Sequence, residues 1–246
     1  MTTPPRATLF ASDLHLSPDR PAARAAFRAF AQGPAREAAA VYILGDLFDW
    51  WVGDDQVRDP FVAAVVAELR SISATGVPLF IGHGNRDFML GARFAQATGA
   101  TLLPEQLALD LAGTRTLICH GDELCTDDAD YIAYRTRMRD PETQVRLLRL
   151  PYFARRAIAW WLRRKSRDEK ALKADYIMDV NADAVADAFR AHGAQRMIHG
   201  HTHRPARHVH DVDGAARERY VLADWHDHGQ YLAVDVDGVR DVTIRG

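Results

Sequence analysis

The stretch Val41-Tyr42-Ile43-Leu44-Gly45-Asp46 decides the fold. Four apolar residues, three of them β-branched or aromatic, run unbroken into a glycine and then an acid. That is the pattern of a strand buried on both faces that ends at a functional loop. Similar short runs occupy Thr8 to Ala11 and Val77 to Ile81, and helical periodicity fills Pro21 to Phe30 and Pro60 to Ser73 between them. The opening is therefore predicted as β-α-β-α-β. Strands alternating with helices of this length imply an α/β fold, with helices packed on a central sheet and function at the carboxyl ends of its strands.

Further along, Gln106 to Leu111 and Arg115 to Cys119 are joined by Ala112-Gly113 and read as a hairpin, which predicts a mixed rather than purely parallel sheet. From Asp127 to Asp179 the period becomes helical. Leu147, Leu150, Phe153, Ile158, Trp161 and Leu162 lie among many arginines there, with Pro141 and Pro151 as breaks. This divides the chain into a core, 1–126 and 180–246, and a helical insertion or lid, 127–179. A helix over Asn181 to His192 and a strand over Arg196 to Ile198 follow. Alternating segments punctuated by Asp213-Gly214 and Asp237-Gly238 then predict a second sheet.

With 246 residues and 48% hydrophobic content, the chain can fill a core of two or three layers. Its start lacks an apolar signal region, and no stretch approaches the roughly 18 apolar residues of a membrane span, so neither secretion nor transmembrane anchoring is expected. Two cysteines, Cys119 and Cys125, make a disulfide framework improbable, and neither is assigned a catalytic role. The net charge of -2 conceals an asymmetry. Arg135 to Lys173 carries thirteen Lys or Arg against four Asp or Glu, a local +9 that leaves -11 elsewhere, so this segment is expected to meet something anionic or amphipathic.

Five segments place metal-grade side chains beside glycine or a bend: Asp13-Leu14-His15, Gly45-Asp46, Gly84-Asn85, His120-Gly121 and Gly200-His201-Thr202-His203. Each alone is weak, since capping acids and loop histidines are common in turns. Together they predict a two-metal hydrolytic site. Asp13 and His15 can turn toward one ion at a strand end, and Asp46, approached closely past Gly45, is expected to bridge two. Asn85 adds a neutral oxygen, with Gly82 and Gly84 allowing a tight loop, and His120, His201 and His203 complete two mixed nitrogen and oxygen spheres. The absence of thiolate suits Mn²⁺ or Fe²⁺ at least as well as Zn²⁺. Two such ions lower the pKa of a shared water and clamp the attacking and leaving oxygens of a phosphoryl group.

Asp-x-His, Gly-Asp, Gly-Asn, His and Gly-His-x-His, in this order and over nearly the whole chain, resemble the calcineurin-like metallophosphoesterase superfamily. The resemblance implies a four-layer α/β/β/α sandwich. It also implies that Asp13, His15, Asp46 and His203 hold one metal, and that Asp46, Asn85, His120 and His201 hold the other, with Mn²⁺ the expected ion in both.

Most relatives carry histidine where this chain has Arg86, and there the histidine is taken to assist the leaving group. Arginine cannot be a general acid near neutral pH, but it can hold phosphate oxygens and neutralise developing charge. A leaving alkoxide needs a proton; a leaving phosphate is already a stable anion. Arg86 thus points to a pyrophosphate, the plainer alternative being a rim salt bridge to Asp87 or Asp122. Gly84-Asn85-Arg86-Asp87-Phe88, Gly45 to Asp55 and His120 to Asp128 closely resemble the superfamily's lipid A branch. That implies UDP-2,3-diacylglucosamine as substrate, attack of a metal-bridging hydroxide on the α-phosphorus, and UMP and 2,3-diacylglucosamine 1-phosphate as products. Catalysis would rest on Asp46, Asn85, Arg86, His120 and His201, and substrate binding on Asn85, Arg86, Asp128, Ser166, Lys170, Lys173 and His201. Lys170 departs from the asparagine expected there. Asp49 and Asp122 are candidates to orient the imidazoles.

Trp160 and Trp161, with Ile158, Leu162 and Phe153, lie between Arg155/Arg156 and Arg163/Arg164/Lys165. That pattern fits a helix covering an acyl pocket or resting on an anionic membrane surface, so peripheral attachment to the cytoplasmic face of the inner membrane is expected. The plainer reading is a hairpin of core aromatics with solvated arginines. No nucleic-acid module accompanies the basic segment, and no protein partner is expected. The rival functions are another dinuclear phosphoesterase, acting on cyclic nucleotides or dinucleoside polyphosphates, and a membrane-binding protein with a degenerate site.

Overall fold

The structure, a computed structural model, describes residues 6–170 and 179–246, the side chains at 163 and 165–170 excepted. Its elements are β1 (Thr8–Ala11), α1 (Pro21–Gln32), β2 (Ala40–Ile43), α2 (Pro60–Ser73), β3 (Leu79–Ile81), α3 (Ala92–Thr98), β4 (Thr101–Leu102), β5 (Gln106–Leu111), β6 (Thr114–Cys119), α4 (Ala129–Arg139), α5 (Pro141–Leu148), α6 (Tyr152–Lys170), α7 (Ala182–His192), β7 (Arg196–His199), β8 (Ala206–Val212), β9 (Ala215–Val221), β10 (Gly229–Asp235) and β11 (Gly238–Ile244). Two sheets form, ordered β11-β10-β1-β2-β3-β4 and β5-β6-β7-β9-β8.

Side-chain alternation along the strands generates four layers, because successive residues point to opposite faces of a sheet. Leu9, Ala11, Val41 and Ile43 join the core under α1, α2 and α3, while Phe10, Tyr42 and Leu44 turn to the other side. There they meet Ile118 and Ile198 from the second sheet. Leu117, Cys119 and Met197 point away again, into a third core closed by Val185 and Phe189 of α7. The middle interface carries a ladder of rings, Phe10 on Tyr42 at 5.0 Å and Tyr42 on Phe80 at 4.6 Å. It runs across β1, β2 and β3, which pair in parallel.

Helix ends follow local chemistry. The Asp59 carboxylate accepts from the Phe61 N–H at 2.9 Å to start α2, with Pro60 in the first turn. Asn181 caps α7 in the same manner, and Gly193 ends it in the left-handed region. Pro141 opens α5 and Pro151 directly precedes α6, so both break the helical segment where the sequence predicts.

One expectation is corrected. The β5–β6 hairpin belongs to the second sheet, and the first sheet is mixed because β10 and β11 add antiparallel beside β1. The Asp237-Gly238 hairpin therefore extends the first sheet, and only the Asp213-Gly214 hairpin extends the second. Burial explains the choice. Tyr231, Leu232, Ala233 and Val234 are all buried, two on each face, so β10 needs a place inside a covered sheet. β8, which alternates with polar residues, takes the edge of the second sheet, with β9 between it and β7.

Candidate metal centre

Strands β1, β2 and β3 run parallel, as do β6 and β7 across the interface, so their carboxyl ends gather at one edge. All seven predicted ligands lie on the loops that leave these ends. Asp13, His15, Asp46 and His120 are buried, while His203 is half-buried. Ligand atoms of Asp13, His15 and His203 lie within 4.8 Å of one another, and so do those of Asp13, Asp46 and His120.

Asp46 faces both groups. Its Oδ2 is 3.7 Å from His15 Nδ1 and its Oδ1 is 3.9 Å from His120 Nε2. Asn85 Oδ1 lies 3.0 Å from His201 Nδ1 and 3.3 Å from His120 Nε2. On the other side, His203 Nε2 is 3.2 Å from Asp13 Oδ1 and 3.2 Å from His15 Nε2. Two imidazole nitrogens aimed at one another, with His15 Nδ1 buried and without a hydrogen-bond partner among the described residues, form a donor set that fits a cation. Two carboxylates, one amide oxygen and four imidazoles suit a first-row divalent ion. Burial opposes ionisation of Asp13, but the His203 hydrogen bond and nearby imidazoles outweigh it and hold the carboxyl well below its ordinary range. For Asp46 burial prevails and pushes the carboxyl up.

The backbone is shaped for this convergence. Among the described residues seven non-glycines have positive φ, and five of them are Asp13, His15, Asp46, His201 and His203. Gly84 and Gly200 allow the loops to close. A Cβ on Gly84 would sit 2.0 Å from Asp46 Oδ1, and one on Gly200 would sit 2.1 Å from Asp13 Oδ2.

Arg86 reaches the same cluster, with Nε 3.4 Å from Asp46 Oδ2 and Nη1 3.2 Å from Asp49 Oδ1. Its ion pairs go to these two acids, not to Asp87 or Asp122. Asp122 instead accepts from the Tyr131 hydroxyl at 3.0 Å, from Arg135 Nε at 2.9 Å and from Arg139 Nη2 at 3.1 Å, all on α4. It ties that helix to the His120 loop; its hydrogen bonds do not go to an imidazole. Among the described residues, the Leu44 carbonyl lies 3.2 Å from His120 Nδ1, and Asp224 lies 3.5 Å from His203 Nδ1.

Asp128 caps α4, accepting from the Tyr131 N–H at 3.0 Å, and Tyr131 stacks on His201 at 5.9 Å between centroids. Helix α4 thus stands beside the cluster. The side chains of Ser166 and Lys170, and the whole of Lys173, lie outside the described residues. Helix α6 touches the core through Arg155, which is buried and donates to the Val52 carbonyl and to Asp55, and through Arg156 over Trp50 at 5.3 Å.

Sequence reasoning missed Asp87 as a structural clamp. Its carboxylate accepts from the backbone N–H groups of Leu47 at 2.7 Å, Gly84 at 2.8 Å and Asp46 at 3.1 Å, joining two ligand loops. Its position directly after Gly-Asn-Arg was the available signal. Asp224 and the Leu44 carbonyl carry no sequence mark, because only the fold brings them to the imidazoles.

Strand-end donors paired across two sheets define a metallophosphoesterase, and the chain belongs to the calcineurin-like phosphoesterase family, whose sequence model matches residues 7–205. Its relatives include the UDP-2,3-diacylglucosamine hydrolases of Escherichia coli O157:H7 (strain EC4115 / EHEC) and Shigella sonnei (strain Ss046), each 48% identical over 234 residues, 95% of this chain and 97% of the relative. Among solved structures, Vacuolar Protein Sorting 29 from Cryptosporidium parvum aligns with a TM-score of 0.48 at 12% identity, over 98% of this chain and 97% of that one.

Proposed function

We propose that this chain hydrolyses the pyrophosphate bond of UDP-2,3-diacylglucosamine, with water attacking the α-phosphorus to release UMP and 2,3-diacylglucosamine 1-phosphate. Asp13, His15, Asp46 and His203 would hold one divalent ion, and Asp46, Asn85, His120 and His201 the other, with Mn²⁺ the favoured metal. Bound there, such ions supply Lewis acidity and a water acidic enough to ionise near neutral pH. The chain's own groups supply the rest. Asp46 and Asn85 fix the cluster, and Arg86 neutralises charge that develops on the phosphoryl oxygens.

The observation that carries this reading is Arg86. It stands within 3.4 Å of the bridging candidate Asp46 and is still 24% exposed, so a phosphate can reach it. A guanidinium there stabilises a departing anion but cannot protonate an alkoxide, which selects an anhydride over a monoester. The names of relatives 48% identical to this chain support the sugar nucleotide and its acyl chains. The aromatic side chains of α6 support a lipid as well, since Phe153 is 75% exposed and Trp160 61%. No described helix is long and apolar enough to cross a membrane. Residues 127–179 would act as a lid over the acyl chains and as the contact with an anionic membrane.

Purified protein with Mn²⁺, offered diacylated UDP-glucosamine, an acyl-free UDP-sugar and a simple aryl phosphate, tests the proposal, with Asp46→Ala as control. The diacylated substrate should be cleaved fastest and the aryl phosphate slowest. Equal cleavage of the acyl-free sugar would sink the lipid assignment, and an active Asp46→Ala would sink the metal site.

A further inference from the structure

The end of β7 holds a buried polar chain that the proposed reaction leaves unused. Arg219, on β9, is 5% exposed, and His199, the last residue of β7, is fully buried. Arg219 Nη1 lies 3.0 Å from His199 Nε2, and Arg219 Nε donates to His210 Nε2 at 3.0 Å. His199 Nδ1 lies 2.9 Å from the Gly200 carbonyl oxygen. A guanidinium can only donate and a carbonyl can only accept, so His199 carries its proton on Nδ1 and presents a lone pair at Nε2.

The carbonyl that His199 grips belongs to the peptide joining Gly200 to His201. The other end of that peptide, the His201 N–H, donates to Asp13 Oδ2 at 2.8 Å. One peptide group is therefore held from both sides, by His199 and by a candidate ligand of the metal centre. It needs holding, because His201 sits at φ 68°, where a side-chain-bearing residue is strained. His199 also packs so closely on the His120 loop that a Cβ on Gly121 would come 2.6 Å from its Nδ1, and the Gly200 N–H donates to the His120 carbonyl at 2.9 Å.

We infer that Arg219 and His199 are positioning residues for the metal centre: Arg219 fixes the histidine tautomer, and His199 fixes the strained peptide that presents His201. The inference rests on the reading of His201 and Asp13 as metal ligands. It does not depend on which phosphoester is cleaved. Losing Arg219 would leave a buried imidazole lone pair unpaired and free the ring to turn, so the peptide could rotate His201 out of place.

The test is a Mn²⁺ titration of metal-stripped full-length protein, followed by the electron paramagnetic resonance signal of free Mn²⁺ with no substrate present. Arg219→Met and His199→Leu should each weaken binding by about 10–100-fold, as loss of partners behind metal ligands commonly does. Their combination should be no worse than either alone, because both break one connection. His199→Gln, whose amide can still accept from Arg219 and donate to Gly200, and Arg219→Lys should recover most of the affinity. Should the first two variants fail to fold by circular dichroism, His199→Gln and Arg219→Lys are set against His199→Asn, too short to span both partners, which should bind more weakly than either. The inference is overturned if folded variants bind Mn²⁺ as the native protein does, or if affinity simply tracks melting temperature across the series. Native protein that takes up no Mn²⁺ overturns it together with the metal site, while a failure to cleave the lipid substrate leaves this binding series unaffected.

Discussion

Gly84→Ala is the sharpest test of how the cluster is built. The added Cβ would lie 2.0 Å from Asp46 Oδ1 and 2.3 Å from the Asp46 backbone nitrogen. Ordinary contact needs about 3.4 Å or more, so something must move by about 1 Å. Asp46 is poorly placed to retreat: its N–H donates to Asp87 Oδ1 at 3.1 Å, and its own Oδ1 accepts from the Arg86 N–H at 2.8 Å. The displacement therefore falls on the Asp46 carboxylate, the proposed bridge, on the Asn85 loop or on both. A misplacement of about 1 Å costs on the order of 100-fold in rate, or about 2.7 kcal/mol of transition-state stabilisation. Overpacking should lower stability by about 1–3 kcal/mol, enough to shift the melting temperature but not to unfold the chain at 25 °C. Gly76→Ala is the control. Gly76, unlike Gly84, has positive φ, but an added Cβ there meets nothing within 4 Å, so stability should fall by about 1 kcal/mol from backbone strain alone and kcat/KM should hold. The assay is kcat/KM on diacylated UDP-glucosamine, with Mn²⁺ binding and thermal melts alongside. Native kcat/KM and Mn²⁺ affinity in folded Gly84→Ala would refute the reasoning.

Arg86→Ala should lower kcat by about 10²–10³-fold, as removal of a charge-stabilising donor does, with Mn²⁺ binding retained; an unchanged kcat on the pyrophosphate substrate refutes its role. Asp122→Asn should cost about 1.5–3 kcal/mol in urea unfolding, since it takes the buried carboxylate from Arg135 and Arg139 and leaves them the half-exposed Glu105; a change below about 1 kcal/mol would place little weight on that link. His199 is held down to about 3, first by burial and then by Arg219. The unfolded chain takes up this proton near 6.5 and the folded chain only near 3, so its stability contribution is whole above about 6.5 and is lost as pH falls, by up to about 1.4 kcal/mol per pH unit. The stability advantage of metal-free native protein over His199→Gln should therefore shrink from pH 6.5 toward 4, and a flat difference refutes the assignment. Cys119 and Cys125 are buried, and burial pushes the Cys125 thiol up to about 12, so a thiol reagent at pH 8 should label the folded protein only as fast as it opens.

The strands and their order of chemistry were legible because the relevant signals are local. An unbroken apolar run ending in glycine and an acid marks a covered parallel strand wherever it occurs, and so the Asp13, Asp46, Asn85, His120 and His201 loops could be located one by one. Helix α2 matches its sequence prediction from Pro60 to Ser73 because a capping aspartate and a proline mark its start. The sheet assignment of β10 and β11 was not legible, because a hairpin signal says which strands are neighbours in sequence and nothing about which sheet they join. The short α3 and β4 escaped notice for lack of length to show a period. Within the site, residue types marked the candidate ligands, but the groups beside their imidazoles, Asp224 and the Leu44 carbonyl, did not stand out, and Asp122, expected beside an imidazole, turns to α4 instead; all three depend on tertiary contacts.

The five candidate ligands at positive φ show why such a site resists reading one residue at a time. Each carries a backbone strain of about 1 kcal/mol or more, so the five together weigh on the 5–15 kcal/mol by which a domain is ordinarily stable. Strain of this kind persists only where the surroundings over-determine the backbone. Here the surroundings are the other ligand loops. The Asp13 N–H donates to the Gly45 carbonyl at 3.1 Å, His15 to the Asp46 carbonyl at 2.9 Å, Asp46 to the Asp87 carboxylate at 3.1 Å, and His201 to the Asp13 carboxylate at 2.8 Å. Every one of these bonds crosses from one loop to another, and the last crosses from one sheet to the other. The candidate donors are thus held by the chain's own hydrogen bonds, because these loops cannot relax without breaking a bond that holds a neighbour. Strain, close glycine contacts and inter-loop hydrogen bonds are three expressions of one requirement, that five separate strand ends present their side chains to a common point.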